Sequence, residues 1–249
     1  MKLSVLLPVK NQTNKLLYNL KEAILPYFDA QDITYDVWIC YDGSTGEDKA
    51  QMEKESKSFP PHVHLVPYEN RVGKGNNVKR AMLHSQSDYV LFMDADLATG
   101  LDTFEKMLPL LGKADCLIAS RDIEGASYAQ KQPFMRRLTH WGCRMVVAMM
   151  FHMKGIKDSQ CGYKCIRTSL AKQFARFSII DGYAFDVELL YSLYRNGFSI
   201  QEVPCVWSDD PDSSVSGLGG TVRRFISDLN KIKRNRDNYL YAKEDEDAH

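Results

Sequence analysis

Short apolar runs alternate with amphipathic stretches along the first half of the chain. The runs are rich in strand-forming residues, and the stretches between them carry apolar residues at helical spacing. The predicted strands cover residues 3–9, 37–41, 62–67, 89–93 and 116–119. Repeated strand–helix–strand units with continuously apolar strands predict an α/β fold, in which helices flank a mostly parallel central sheet.

The helices are predicted from apolar spacing and from boundary residues. The first covers about residues 16–25 and is expected to end near Pro26, and another begins near Lys74. Asp102 is expected to open a further helix, because Glu105 stands three residues later in capping-box spacing. Later helices are predicted at 133–152, 184–195 and 221–238, and a strand near 198–206.

Two acidic residues follow the strand at 89–93. Asp94 and Asp96 are separated by a single alanine, and ligands of open α/β sheets bind at the carboxyl ends of the strands. Neighbouring carboxylates repel each other unless a cation lies beside them, and Mg²⁺ is commonly held by one or two carboxylates together with substrate phosphates. Taken alone, the pattern favours a solvated turn. The remaining motifs reverse that preference and indicate a metal-bound nucleotide diphosphate.

Further polar clusters interrupt the apolar pattern. The turn Asp42-Gly43-Ser44 follows the second strand and could reach a base or ribose. Residues 70–77 form a basic, glycine-containing loop before a helix, which suits an anion because the backbone can approach closely. Residues 158–164 and 181–188 concentrate further charged groups. Each cluster also has a purely structural explanation, such as a turn, a capping loop or acidic charge at a helix N-terminus.

Composition narrows the function classes. The 249-residue chain has 32 Lys plus Arg and 32 Asp plus Glu, so no overall charge directs it to nucleic acid. Six scattered cysteines without a CxxC pair predict buried, reduced thiols rather than a zinc site. Neither a P-loop nor a G-x-G-x-x-G dinucleotide fingerprint occurs. No apolar run approaches the roughly 18 residues of a membrane span, and the apolar start breaks at Pro8, too early for a signal peptide.

Taken together, the motifs resemble family 2 glycosyltransferases of the GT-A fold. The similarity is greatest to the dolichyl-phosphate glucosyltransferases, and the dolichyl-phosphate mannose synthases are more distant. It runs in order over about residues 3–210. The segments that carry it are Asn70-Arg-Val-Gly-Lys-Gly75, Asp94-Ala-Asp96, Ala119-Ser-Arg121 and residues 154–164 and 184–190.

The resemblance implies a single GT-A (Rossmann-like) domain and an inverting hexose transfer to a polyprenyl phosphate. We expect residues 1–125 to form the nucleotide-sugar half and 126–210 the acceptor half. Residues 211–249 are expected to form a mobile loop, a basic amphipathic helix and an acidic tail. The expected donor is UDP-glucose, and the expected cofactor is Mg²⁺ or Mn²⁺.

The resemblance also assigns roles to single residues. The expected donor-binding residues are Pro8, Asp42, Lys74, Gly75 and Asp94, and the expected metal ligands are Asp94 and Asp96. Arg121 and Arg136 would meet the acceptor phosphate, because guanidinium groups bind phosphate in bidentate geometry.

Three charged residues complete the expected catalytic set. Asp158 would be an acid near the reacting centre, and Glu188 would be its supporting partner. Lys164 would stabilise phosphate charge or simply pair with Asp158. A phosphate acceptor is already largely dianionic near pH 7 and needs positioning more than deprotonation.

The chain departs from the family pattern in three places. Tyr41 replaces the first of two acids that usually precede the Gly-Ser turn, which affects base recognition. Ala98 stands where the mannose synthases carry a glutamine, so a water would fill that metal position. The eukaryotic glucosyl enzymes begin with a membrane-spanning segment, and none is found in this sequence.

Two helices suggest peripheral contact with the cytoplasmic face of a membrane. The 221–238 helix is basic and amphipathic, and the 133–152 helix carries Trp141 and several methionines. Packing of the apolar face of 221–238 on the domain is an equally good explanation. Alternatives for the whole chain are transfer to a soluble or polysaccharide hydroxyl, and a non-catalytic binding module. A nucleotidyltransferase would need a glycine-rich loop where Pro8-Val-Lys-Asn11 stands.

Overall fold

A seven-stranded sheet forms the centre of the molecule. The structure is a computed structural model that describes residues 1–41, 46–66, 73–129, 134–208 and 218–240. The sheet contains β1 (Lys2–Val9), β2 (Thr34–Tyr41), β3 (Val63–Val66), β4 (Tyr89–Met93), β5 (Cys116–Ser120), β7 (Tyr163–Arg167) and β8 (Ile200–Pro204). A separate two-stranded sheet pairs β6 (Ser127–Tyr128) with β9 (Val206–Trp207).

The strand order is β3-β2-β1-β4-β7-β5-β8, and all neighbours are parallel except where β7 is involved. β7 runs antiparallel to both β4 and β5. The expected α/β fold with a mostly parallel sheet is therefore confirmed. The sequence pattern did not predict β7, because its second residue is Lys164, and a charged residue at the centre of a sheet is not read from hydrophobicity.

Helices cover both faces of the sheet. They are α1 (Thr13–Asn19), α2 (Leu25–Asp29), α3 (Glu47–Glu55), α4 (Lys74–His84), α5 (Thr103–Met107), α6 (Phe134–Phe151), α7 (Thr168–Phe177), α8 (Phe185–Arg195) and α9 (Leu218–Arg234). Successive side chains of β1 point to opposite faces of the sheet. Leu3, Val5 and Leu7 belong to one apolar cluster of the core, and Leu6 belongs to the other.

One predicted helix boundary is wrong. Pro26 does not end the first helix, because a π-helical turn at Leu20–Ile24 precedes α2 and places the proline at the start of the next segment. Asp102 directly precedes α5, so the predicted helix start is confirmed, but Asp102 does not form the expected capping box. Its backbone is already helical and its side chain makes no capping hydrogen bond, so only its carbonyl accepts the Glu105 N–H, at 3.2 Å.

The C-terminal helix α9 packs on the domain. Phe225, Leu229 and Ile232 are buried in the same apolar cluster as α8, and Tyr239 from the following 3-10 turn (Arg236–Tyr239) joins them. The apolar face of the predicted 221–238 helix therefore stabilises the core and is not available to a membrane. This corrects one of the two predicted contacts. The predicted loop and the acidic tail fall on residues 209–217 and 241–249, outside the described residues.

The cysteines and the helix lengths agree with the sequence analysis. All six cysteines are free, and all but Cys143 are buried. Within the described ranges, none of the helices combines the length and apolar character that crossing a membrane requires.

Candidate active site

Asp94 and Asp96 lie directly after the central strand β4. The Asp94 N–H donates to the Gly162 carbonyl at 3.1 Å, and the Asp96 Oδ1 accepts the Ala98 N–H at 3.0 Å. Leu97 adopts a left-handed backbone with φ 58°, a conformation that costs a bulky L-residue on the order of 1 kcal/mol. The tight turn holds both carboxylates at the carboxyl edge of the sheet, as the sequence predicted.

Gly162 forms the wall behind Asp94. A Cβ built on this glycine would overlap the Asp94 carboxylate, so no larger residue fits without moving it. The sequence analysis included Gly162 only as part of a polar cluster. Its specific role depends on β7 lying next to β4, which the apolar pattern does not reveal.

Lys74 forms an ion pair with Asp94. It is the first residue of α4, and its Nζ donates to the Asp94 Oδ1. Burial alone would lower the pKa of Lys74, but the charges of Asp94 and Asp186 raise it above its ordinary value. The predicted donor residue Lys74 and the predicted metal ligand Asp94 are thus in direct contact.

The glycines beside Lys74 serve a different purpose from the one expected. A Cβ on Gly73, where φ is 102°, would lie 2.5 Å from the Asp181 carbonyl oxygen, and one on Gly75 would lie 2.7 Å from the Phe185 Cβ. The N–H of Gly75 donates to the Asp181 carbonyl at 2.8 Å. These glycines permit close packing of α4 against residues 180–185. N–H groups at the start of α4, which we expected to bind an anion, donate to a carbonyl of the protein instead.

Lys164 and Asp186 form a buried ion pair beside these groups. The Lys164 Nζ lies 2.7 Å from the Asp186 Oδ1 and also donates to the Cys161 carbonyl. Burial raises the pKa of Asp186, and the charges of Lys164 and Lys74 only partly offset it. The expected pairing of Lys164 with Asp158 is wrong, because β7 directs Lys164 toward α8 instead.

Asp158 binds Arg121 through both carboxylate oxygens. The Arg121 Nε lies 2.6 Å from Oδ2 and its Nη2 lies 2.9 Å from Oδ1, and the Arg121 backbone N–H also donates to Oδ2 at 3.1 Å. Asp158 is fully buried. Burial would raise its pKa, but the hydrogen bonds and charge of Arg121 outweigh this and hold the pKa below its usual range. These contacts favour a positioning role for Asp158 over that of an acid at the reacting centre.

An aromatic cluster that the sequence analysis missed surrounds Arg121. The guanidinium carbon lies 5.5 Å from the centre of the Trp207 ring, a cation–π contact. Tyr128 and His140 approach the same ring edge-on at 6.0 and 6.5 Å. Nearby, Arg144 binds the carboxylate of Asp122. Burial raises the pKa of Asp122, and the charge of Arg144 partly offsets this rise. No motif in the sequence connects Trp207 with Arg121, since 86 positions separate them.

Glu188 lies elsewhere in the fold. Its carboxylate accepts the N–H groups of Ile179 at 2.8 Å and Ile180 at 3.1 Å, and hydroxyls from Ser178 and Tyr239. The carboxylate thus binds residues 178–180 and Tyr239 rather than Asp158, so the expected partnership is wrong. Glu188 instead holds the segment 178–180. The carbonyl of the next residue, Asp181, accepts N–H groups from the start of α4.

Three further residues of the expected site are Pro8, Asp42 and Arg136. Pro8 lies near the carboxyl end of β1, in register with Cys40 of β2. Asp42 and the side chain of Arg136 lie outside the described residues, so their roles stay predictions.

The carboxylate pair suits a hard divalent cation. Within the described ranges, no group of three or more His, Cys, Asp or Glu side chains could hold a metal. Mg²⁺ and Mn²⁺ do not need such a group, because water and substrate phosphates complete their oxygen shell. The ammonium of Lys74 already lies against Asp94, which shows that this position accepts positive charge. Asp94 and Asp96 therefore fit the expected ion.

Curated relatives match most of this chain and about seven tenths of their own length. A dolichyl-phosphate beta-glucosyltransferase of Mus musculus is 30% identical over 86% of this chain and 69% of its own length. One from Dictyostelium discoideum is 28% identical over 93% of this chain and 73% of its own length.

A solved structure and a family model complete the comparison. Glucosyl-3-phosphoglycerate synthase of Mycobacterium tuberculosis, crystallised with Mn²⁺, UDP and glucosyl-3-phosphoglycerate, superposes with a TM-score of 0.67. It covers 97% of this chain and 81% of its own, at 17% identity, and so supports the GT-A fold alone. The model of glycosyl transferase family 2 matches residues 4–174. The chain therefore belongs to glycosyl transferase family 2.

Proposed function

We propose that this glycosyltransferase transfers glucose from UDP-glucose to a polyprenyl phosphate of the dolichyl type, with inversion and with Mg²⁺ or Mn²⁺. The names of the curated relatives support the sugar and the acceptor. The observation that carries the proposal is the bidentate Arg121–Asp158 pair. It fixes a guanidinium near the sheet edge and leaves the buried Asp158 unable to serve as a base.

The acceptor chemistry follows from this arrangement. A hydroxyl acceptor needs a general base, whereas a phosphate monoester is already largely dianionic near pH 7. Arg121 can draw a phosphate into place by charge and paired hydrogen bonds, while Asp158 and Trp207 hold the orientation of its side chain. Such a site positions its nucleophile and does not deprotonate it.

The donor side is formed by Lys74, Asp94 and Asp96. A bound divalent cation would neutralise charge on the departing diphosphate. Lys74 provides a second positive charge next to the metal position, and Gly162 restricts movement of the Asp94 carboxylate away from it. Together these groups favour departure of UDP.

Membrane contact is proposed through α6 alone. Leu138, Trp141, Met145 and Met149 recur at helical spacing on α6, and all four are exposed, with Trp141 at 55% and Met149 at 60%. An exposed apolar stripe of this kind suits the surface of a lipid layer that presents the acceptor. Location at the cytoplasmic membrane face stays a prediction.

A hydroxyl acceptor remains the second candidate because of Asp122. Its carboxylate is partly exposed near Arg121, and burial raises its pKa above the ordinary aspartate value, which is the direction that favours uptake of a proton. Replacing Asp122 by Asn would then abolish transfer. With a phosphate acceptor, the same change would leave most of the activity.

The test is release of UDP from UDP-glucose with Mn²⁺, with and without a short polyprenyl phosphate. We expect lipid-stimulated release that Asp96→Ala abolishes and Arg121→Met reduces at least tenfold, since charge-assisted hydrogen bonds contribute about 1.5–3 kcal/mol. Asp237→Ala, which removes an exposed carboxylate, is the matched control. Binding of UDP-glucose without lipid-stimulated release would contradict the acceptor. Absence of donor binding would instead favour a non-catalytic module.

A further inference from the structure

Both oxygens of the Asp94 carboxylate are in contact with the protein. The ammonium of Lys74 binds Oδ1, and Oδ2 packs against Gly162, where even a methyl group would not fit. Gly162 therefore limits rotation of the carboxylate away from Lys74. The Asp94 side chain is 36% exposed, and a metal ion that takes the Lys74-bound Oδ1 as a ligand competes with Lys74 for that oxygen.

Among the described residues, Asp186 and Asp96 are the other carboxylates whose charge acts on Lys74. Asp186 attracts it, but the Asp186 carboxylate is already bound to Lys164 at 2.7 Å in a buried pair. Two ammonium groups, Lys74 and Lys164, stand among three carboxylates, Asp94, Asp96 and Asp186. Adding a divalent ion alone would reverse this small excess of negative charge and leave Lys74 facing another cation.

A diphosphate resolves this conflict. Its negative charges would balance the metal ion and also receive the ammonium that the metal displaces. Because Lys74 is the first residue of α4 and its side chain is 19% exposed, a short movement of its flexible stem can bring Nζ from Asp94 toward solvent.

We propose that Lys74 is an exchangeable counter-cation of Asp94, which blocks the metal position until metal and donor diphosphate arrive together. This inference rests on the proposed donor site. Metal alone then binds weakly, and nucleotide strongly increases metal affinity. The enzyme thereby avoids holding a metal ion without its nucleotide.

The test measures Mn²⁺ affinity from the electron paramagnetic resonance signal of free Mn²⁺, with and without UDP. We expect Mn²⁺ alone to bind at least about tenfold more tightly to Lys74→Met than to the unmodified protein. Tenfold is the lower end of the change in proton affinity that a neighbouring charge causes in a carboxylate. The increase in affinity caused by UDP should shrink by about the same factor. Lys74→Arg, which keeps the charge, should behave like the unmodified protein.

Lys49→Met is the matched control, because Lys49 makes only an exposed i,i+4 pair with Glu53 at 3.7 Å. It removes the same charge from the surface and should change neither affinity. If Lys74→Met does not fold, judged by its thermal transition, Lys74→Gln replaces it. Unchanged or weaker Mn²⁺ binding by the folded variant would overturn the inference while leaving the proposed function intact. An unmodified protein that binds neither Mn²⁺ nor UDP would overturn both.

Discussion

The charged residues of the site act in fixed pairs. Arg121 with Asp158 and Lys164 with Asp186 are buried, and each side chain satisfies the charge of its partner. Loss of one member of a buried pair costs about 3–5 kcal/mol, because the other charge is left without compensation. Replacement of these residues therefore changes folding as well as catalysis, and the two effects have to be measured separately.

Asp158→Asn should destabilise the protein in a pH-dependent way. The pKa of Asp158 lies below its unfolded value of about 3.9, so the ionised carboxylate contributes stability above about pH 4, and this is lost as the pH falls through the folded pKa. We expect Asn to cost about 3–5 kcal/mol at pH 7. Urea unfolding should show this difference narrowing below pH 4. A difference that stays constant from pH 7 to pH 3 would contradict the pairing.

Gly162→Ala should weaken binding of Mn²⁺ with UDP. The new methyl group would overlap the Asp94 carboxylate, and such overpacking costs typically about 1–3 kcal/mol. If this cost falls on the ligand-bound state, we expect about fivefold to a hundredfold weaker binding in a calorimetric titration. The matched control is Gly142→Ala in α6, where the methyl group meets open space and should stabilise the helix slightly. Equal binding by both variants would remove Gly162 from the site.

At the scale of elements, the C-terminal segment supports the loop that precedes α8. The Tyr239 hydroxyl donates to Glu188 at 2.6 Å, Glu188 holds residues 178–180, and the Asp181 carbonyl accepts N–H groups from the start of α4. Lys79 of α4 also donates to the Ile180 carbonyl at 3.0 Å. A chain of hydrogen bonds thus connects α9 and its 3-10 turn to the helix that carries Lys74.

Tyr239→Phe should lower the free energy of unfolding by about 1–3 kcal/mol, because the buried Glu188 loses one hydrogen bond. Chemical denaturation measures this change directly. Tyr18→Phe is the control, since Tyr18 is among the exposed side chains and should lose nothing measurable. Equal stability of the two variants would mean that the Tyr239 hydroxyl does not support Glu188.

Replacing both Trp141 and Met149 by Ser should reduce binding to vesicles that contain anionic lipid. The two side chains are the most exposed members of the apolar stripe on α6, and loss of this apolar area should weaken vesicle binding severalfold in a flotation assay. Phe177→Ser removes an exposed apolar side chain from α7 and should bind like the unmodified protein. Loss of binding in this control as well would argue against a specific role for α6.

For the whole molecule, the strand order brings distant segments to one edge of the sheet. β4 leads into Asp94 and Asp96, Gly162 lies beside them directly before β7, and β5 leads into Arg121. A ligand that bridges these segments stabilises the folded state as a whole, because it binds only when all of them are assembled.

UDP and Mn²⁺ together should raise the melting temperature. Ligand at about a hundredfold excess over Kd adds about 2.7 kcal/mol, which corresponds to roughly 5–10 °C for a domain of this size. Differential scanning calorimetry should show the rise, and EDTA should remove it. Asp96→Ala should show little rise, whereas the surface variant Asp237→Ala should show the full effect. An equal rise in EDTA would contradict metal-dependent donor binding.

The sequence by itself determined the elements and the chemistry at their ends. The sequence predicted six of the seven strands of the main sheet, all except β7, because burial and strand propensity are local properties. The change from apolar to acidic at Met93 and Asp94 indicated a site edge. Helical spacing likewise predicted α6, α8 and α9 to within a few residues. The motifs at 94–96 and 154–164 carried the family resemblance that the comparisons confirmed.

Only the tertiary structure decided which charged groups meet. Lys164 pairs with Asp186 rather than Asp158, Glu188 contacts Tyr239, and Trp207 lies against Arg121. It also decided that α9 packs its apolar face on the core and α6 leaves one exposed. These outcomes depend on the position of the antiparallel β7 and on contacts across many tens of residues, whereas hydrophobic periodicity specifies only which face of an element is buried and not which partner covers it.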